Sequence, residues 1–197
     1  VSDNQNFFNP YAFLKSDSQD DKNFPTKGFY LYAEGKILDL FGKEDKDKVL
    51  QLKADTRINI PVTSWFTNRI RFFGGLSFGE DINRFYEFRS GGIFEQNLGN
   101  FVRLGGYEFG QQQGKNLLLA DNQMQFKIHK NIFIIPNISF ATMFDDVEAA
   151  DFFNFDYSSA GITAGYKSPF GQIKLNYSKS FNKDNQGLFT VILGHWF

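Results

Sequence analysis

Gly187-Leu-Phe-Thr-Val-Ile-Leu-Gly-His-Trp-Phe197 closes the chain with bulky residues at nearly every second position. An alternating segment of about ten residues that stops on an aromatic has the format of an outer-membrane β-strand. In that reading Phe189, Val191, Leu193 and Phe197 face lipid, Thr190 and Gly194 face inward, and Trp196 lies near the interface. A single strand of a soluble sheet looks the same, so the rest of the chain has to decide.

Composition narrows the choice. The 197 residues fit one domain and include 26 Phe and 8 Tyr but only 2 Met, 5 Pro and 18 Gly. Mean hydropathy is negative, and no apolar run reaches the roughly 18 residues of a helical span. A transmembrane barrel reconciles the two, because alternate residues face a wet lumen. The net charge of −1 supplies no general basic field, so nucleic acid is not an expected partner. With no cysteine there is neither a disulfide nor a thiolate metal site, and no metal or other cofactor is expected. No basic segment followed by an apolar one opens the chain at Val1, which predicts a removed signal or an upstream N-terminus.

Period-2 alternation recurs along the chain. Leu50, Leu52, Ala54, Ile58 and Ile60 oppose Gln51, Lys53, Asp55, Arg57 and Asn59. Leu118, Ala120, Met124, Phe126 and Ile128 oppose Asp121, Gln123, Gln125 and Lys127, and Ile173, Leu175 and Tyr177 oppose Lys174, Asn176 and Ser178. Segments 28–38, 66–78, 131–143 and 157–167 follow the rule less cleanly. Strands with one wet side explain all of them. Their connections alternate between short turns (169–171, 129–131, a link at Pro61 and a turn at 24–28) and longer polar stretches (182–186, 145–155, 80–114 and 42–48). That asymmetry is the membrane-barrel pattern, with tight turns in the periplasm and long loops outside. The acidic stretches 44–48 and 145–151 read as solvated loops.

The fold class is therefore all-β, an antiparallel transmembrane β-barrel. With a weak first strand near 7–15 the count is about nine, whereas single-chain bacterial barrels use even numbers. Residues 1–197 then form the C-terminal part of a larger barrel, of about 16 strands. Without that first strand, a standalone eight-stranded barrel remains open.

Three segments together resemble the C-terminal half of an Omp85/BamA-superfamily (bacterial surface antigen) barrel. Asn23-Phe-Pro-Thr-Lys-Gly28 is similar to the family's periplasmic turn before a long strand. Phe85-Tyr-Glu-Phe-Arg-Ser-Gly-Gly92 and Phe101-Val-Arg-Leu-Gly-Gly-Tyr-Glu-Phe109 resemble its Phe-Tyr-x-Gly-Gly stretch and the Val-Arg-Gly-Phe tip of its lumenal lid. The terminal strand, with Trp196 and Phe197, is similar to the signal that assembly machinery recognises. The form Gly106-Tyr-Glu-Phe109 looks closest to barrels fused to patatin-like phospholipases in Bacteroidetes. Where the family's tip carries Arg before Gly this chain has Gly105, so Arg103, two positions earlier, reaches the wall only if the loop backbone is displaced.

Residues 89–114 stand out without any resemblance. Glycines at 91, 92, 99, 105, 106, 110 and 114 alternate with Phe94, Phe101, Tyr107 and Phe109. Glycines permit positive-φ bends, and four large aromatics favour burial over open water. The expectation is a lid folded into the lumen, without secondary structure of its own, its tip formed by Arg103, Gly105, Gly106, Tyr107 and Phe109. Arg57, Arg69 and Arg71 would line the lumen wall, either as ordinary charge pairing or as a basic surface accepting lid carboxylates such as Glu108.

No catalytic residue is expected. Gly75-Leu-Ser-Phe-Gly79 has the nucleophile-elbow spacing, but that motif needs a strand-to-helix turn and here it ends an alternating strand. His129 and His195, the only histidines, belong to the opposite barrel end from Ser77. The resemblance implies a bacterial outer-membrane barrel in Gram-negative cells, acting as translocation path or membrane anchor. Its expected partners are outer-membrane lipid, barrel-assembly machinery, and upstream periplasmic or patatin domains. A parent lipase, an assembly or secretion machine and a small structural barrel remain distinct alternatives.

Overall fold

The computed structural model describes residues 8–38, 48–79, 82–93, 99–145, 155–182 and 187–194. Nine long strands form one antiparallel sheet: β1 (Tyr11–Asp17), β2 (Gly28–Leu38), β3 (Val49–Pro61), β4 (Phe66–Phe78), β8 (Asn116–His129), β9 (Ile132–Phe144), β10 (Tyr157–Ser168), β11 (Gly171–Ser180) and β12 (Leu188–Gly194). They pair in chain order, β1-β2-β3-β4-β8-β9-β10-β11-β12. Trp196 and Phe197 lie outside the described residues, as do the long-loop positions 42–47, 146–154 and 183–186.

Alternation sorts the faces. Leu50, Leu52, Ile58 and Ile60 are exposed on one side while Gln51, Asp55 and Asn59 are buried on the other. Phe189, Val191 and Leu193 are likewise exposed, and Ile192 between them is buried. Exposed apolar rows backed by buried polar ones invert the soluble pattern and match a wall set in lipid. Register carries each inner residue across the sheet. One row runs Arg57–Arg71–Asp121–Ser139–Ser159–Ser180, and the next runs Asn59–Arg69–Gln123–Asn137–Gly161–Ser178.

Two expectations need correction. The long stretch between β4 and β8 does contain secondary structure, a small second sheet of β5 (Phe88–Ser90), β6 (Phe101–Val102) and β7 (Gln112–Gly114). An inward lid must satisfy its own backbone polar groups, and short ladders do so locally. Nor is the inner face uniformly wet. Phe73, Leu117, Leu119 and Ala141 of the wall pack against Phe88, Val102, Leu104 and Tyr107 of the lid as one buried cluster.

The connection between β1 and β2 is also more than a tight turn at 24–28. Residues 18–27 fold onto the inner face, and two aspartates shape them. Asp21 Oδ1 accepts the Asn23 and Phe24 N–H groups at 2.8 and 3.0 Å, while Asp20 Oδ1 accepts those of Thr26 and Lys27 at 2.8 and 3.1 Å. Burial opposes the Asp20 charge, but bonds from the Thr26 hydroxyl and from these backbone groups outweigh it and hold the carboxyl below its usual range.

Candidate functional site

The lid enters from the end of the sheet that bears the long connections, and its tip crosses to β11. Gly106 donates its N–H to Ser178 Oγ at 2.8 Å. Its φ is +78°, and a Cβ there would lie 2.6 Å from both Lys179 C and Ser180 N. A Cβ on Gly105 would sit 3.3 Å from Ser178 Cβ. The wall is trimmed to match, since Ser159, Gly161, Ser178 and Ser180 are the inner residues where the tip lands. Small residues on both sides allow backbone-to-backbone approach.

Beside the glycines, Tyr107 is 3% exposed. It meets Tyr157 edge-on at 5.8 Å and donates its hydroxyl to the Ser158 carbonyl at 3.4 Å. The tip is braced from within, because Gly92 N–H donates to the Tyr107 carbonyl at 2.8 Å and Leu104 N–H to that of Gly92 at 3.2 Å. Phe109 points the other way, half-exposed and stacked on Phe101 at 4.7 Å.

Arg103 forms an ion pair with Asp121 of β8. Asp121 also accepts the Ser139 hydroxyl at 2.6 Å and the Gln123 amide at 2.9 Å. The offset of Arg103 from the glycine pair therefore does not keep it from the wall. The isolated bridge between Gly92 and Leu104 turns the backbone just beyond Arg103.

Among the described residues, the three wall arginines share the inner face and find partners within the wall. Arg71 grips Asp55 through Nε at 2.8 Å and Nη2 at 3.1 Å, and Arg57 reaches the same carboxylate through Nη2 at 2.6 Å. Arg69 donates to Asn59 Oδ1 and Gln125 Oε1, each at 3.3 Å. Glu108 is exposed and bonds through its N–H to Gln111. Among the described residues the lid-to-wall charge contact runs from Arg103 to Asp121, and the wall arginines follow the ordinary charge-pairing alternative. Arg57 and Arg71 are already matched by Asp55, which shares their face.

Ser77 is buried within β4 and accepts the Gln51 side-chain amide at 3.1 Å. His129 is exposed at the end of β8, and His195 lies outside the described residues. Among the described residues no group of three His, Cys, Asp or Glu side chains is placed to hold a metal. Sequence reasoning passed over Asp121, Ser139 and Ser178 as partners of the tip. The one available signal was the cluster of small polar residues on the wet faces of β9–β11.

The sequence profile of the OMP85 superfamily matches residues 1–197. No curated protein sequence matches the chain. Among solved structures, the chain is similar to BamA from Haemophilus ducreyi lacking POTRA domains 1–3, with a TM-score of 0.70 and 16% identity. That match covers 94% of this chain and 42% of the other, so the chain spans less than half the length of the protein it resembles.

Proposed function

Since the chain belongs to the OMP85 superfamily, and so forms a non-enzymatic β-barrel domain of the bacterial outer membrane, we propose that its lid is a movable stopper in a polypeptide translocation path. Residues 1–197 serve as the C-terminal part of a larger barrel of about 16 strands, with residues 89–114 as the lid and the short turns in the periplasm. The observation that carries this reading is the docked tip, Gly106 against Ser178 and Arg103 against Asp121. A passive anchor needs no inward loop, whereas a stopper needs contacts firm enough to hold and few enough to release.

The parent fits a fusion in which an upstream patatin-like hydrolase is carried to the surface, a reading supported by the Gly106-Tyr-Glu-Phe109 tip. A barrel of assembly machinery behind periplasmic domains fits the same wall. Cysteines replacing Arg103 and Asp121, joined by a short thiol cross-linker in living cells, separate the cases. Translocation requires that the locked lid abolish surface exposure of the upstream domain while the barrel itself stays inserted. Loss of unrelated outer-membrane barrels instead would assign the machinery role. Unchanged exposure and unchanged barrels would leave only an anchor.

Trp196 and Phe197 act in assembly under this proposal. One interfacial aromatic contributes about 1.5–3 kcal/mol by burial, too little to decide whether a finished barrel stays folded. Deleting Phe197 should lower outer-membrane abundance and leave unfolded protein in the periplasm. Normal insertion of the truncated protein would count against a signal role.

A further inference from the structure

Residues 18–27 are longer than chain reversal requires. At the same end of the sheet β8 reaches β9 through residues 130–131, β10 reaches β11 through 169–170, and β3 reaches β4 through 62–65. Two to five residues suffice to join antiparallel neighbours, yet ten separate Asp17 from Gly28. The surplus is packed inward. Phe24 is 2% exposed and stacks face-to-face on Phe133 of β9, with ring centroids 4.4 Å apart.

Four adjacent strands hold the segment. Gln125 of β8 donates to the Pro25 carbonyl at 3.1 Å. Lys174 of β11 lies 4.9 Å from the Phe24 ring centre and donates to the Asn23 carbonyl at 3.2 Å. Lys167 of β10 pairs with Asp21. The fit also depends on a missing side chain, because a Cβ on Gly165 of β10 would stand 2.4 Å from Phe24 Cε1. None of these contacts involves the lid, whose tip docks two rows or more further along the same strands. Beside the lid tip lies a cavity lined by Ile93, Arg103, Gln123, Asn137, Asn176 and Lys174, the last of which also holds the 18–27 segment. A brace tying β2 to β10 could sit at the rim and need not bury an aromatic ring across the inner face.

We propose that residues 18–27, with Phe24 at their centre, are a second stopper of the lumen, set in series with the lid and closing the end that bears the short turns. This goes beyond the lid reading and survives its failure, since the two inserts use separate contacts. Two constrictions in series have a particular signature: opening either one leaves conduction limited by the other.

Single-channel conductance of the full-length protein in planar bilayers tests it, with Phe24→Ala, Gly106→Ala and the double variant compared. Each single variant should conduct nearly as little as the parent, and the double variant several-fold more. A double variant no more conductive than Gly106→Ala alone would overturn the proposal. A double variant equal to a conductive Phe24→Ala would instead show the lid to be no barrier and keep the stopper. A second arm leaves Phe24 in place and replaces the Asp21–Lys167 ion pair with a covalent link. In the Gly106→Ala background, cysteines at Asp21 and Lys167 joined by a short bis-maleimide should suppress the remaining openings. Openings of unchanged frequency after complete cross-linking would also overturn it.

Discussion

Gly106→Ala is expected to expel the lid tip from the wall and expose residues 99–115 to protease, while the nine-stranded wall stays folded. The backbone at 106 is left-handed, with φ +78°, which costs an alanine about 1–2 kcal/mol. That cost alone could be absorbed. The added methyl, however, would sit 2.6 Å from Lys179 C and Ser180 N, which are backbone atoms of β11 held by pairing with Ala160 and Ser159 of β10. No rotamer change relieves such an overlap, so the tip has to withdraw. Withdrawal gives up the Gly106–Ser178 hydrogen bond, worth about 0.5–1.5 kcal/mol, and the Tyr107–Tyr157 contact, worth about 0.5–1.5 kcal/mol beyond its burial. Gly99 provides the control. Its φ is +64° but nothing lies within 4 Å of its added Cβ, so Gly99→Ala carries backbone strain without collision and should keep the lid protected. Limited proteolysis in native membranes reads the lid, and retention of the unheated compact band on electrophoresis reads the wall. A Gly106→Ala digest identical to the parent's would sink the docked-tip account.

The strands are legible in the sequence because each residue on a lipid-facing wall has one of two fates, and the alternation records which. β4 occupies Phe66–Phe78 and β2 occupies Gly28–Leu38, the segments the period-2 pattern marks out. Legibility fails where the inner face stops being wet. Leu117, Leu118 and Leu119 form an unbroken apolar run because Leu118 faces outward while its two neighbours meet the lid; Phe72 and Phe73 do the same in β4. Those doublets mark where an insert covers the wall, and alternation alone reads them as noise.

The two inserts were legible to different degrees. Glycine spacing exposed the lid because positive φ is required at 91, 92 and 106, and Cβ atoms at 91 and 106 would meet lid and wall backbone. The 18–27 segment has no such composition. Its inward fold depends on Asp20 and Asp21 capping successive turns and on Gly165, a residue distant in sequence whose neighbour across the lumen cannot be inferred from period-2 spacing. The wall partner of Arg103, Asp121, was hidden for a related reason. Wall charges are first satisfied along and between adjacent strands, as Asp55 is by Arg57 and Arg71, so only the register shows which charge remains for the lid.

Asp55→Ala should be the most destabilising single change in the wall. The Asp55 carboxylate is fully buried, and the Arg71 side chain beside it is 6% exposed. Removing one member of a buried pair costs about 3–5 kcal/mol, because the other charge remains desolvated without its counterpart. Arg71 dominates that cost. Arg57 is more exposed and also stacks 4.7 Å from the Tyr30 ring centre, so it keeps both solvent and a cation–π partner. Asp55→Asn should fall between the parent and Asp55→Ala, since it preserves shape and one acceptor but not the charge. Replacing both partners, as Asp55→Leu with Arg71→Met, should recover much of the loss, because paired removal leaves no buried ion. Unfolding by guanidinium chloride in lipid vesicles, followed by tryptophan fluorescence, measures these proteins together with Asp55→Leu and Arg71→Met alone. If the Asp55→Ala midpoint matches the parent's, or if the double replacement is as unstable as the sum of its parts, the pair is not holding the lumen wall. The inner-face charges would then be free to serve a passing ligand instead of the fold.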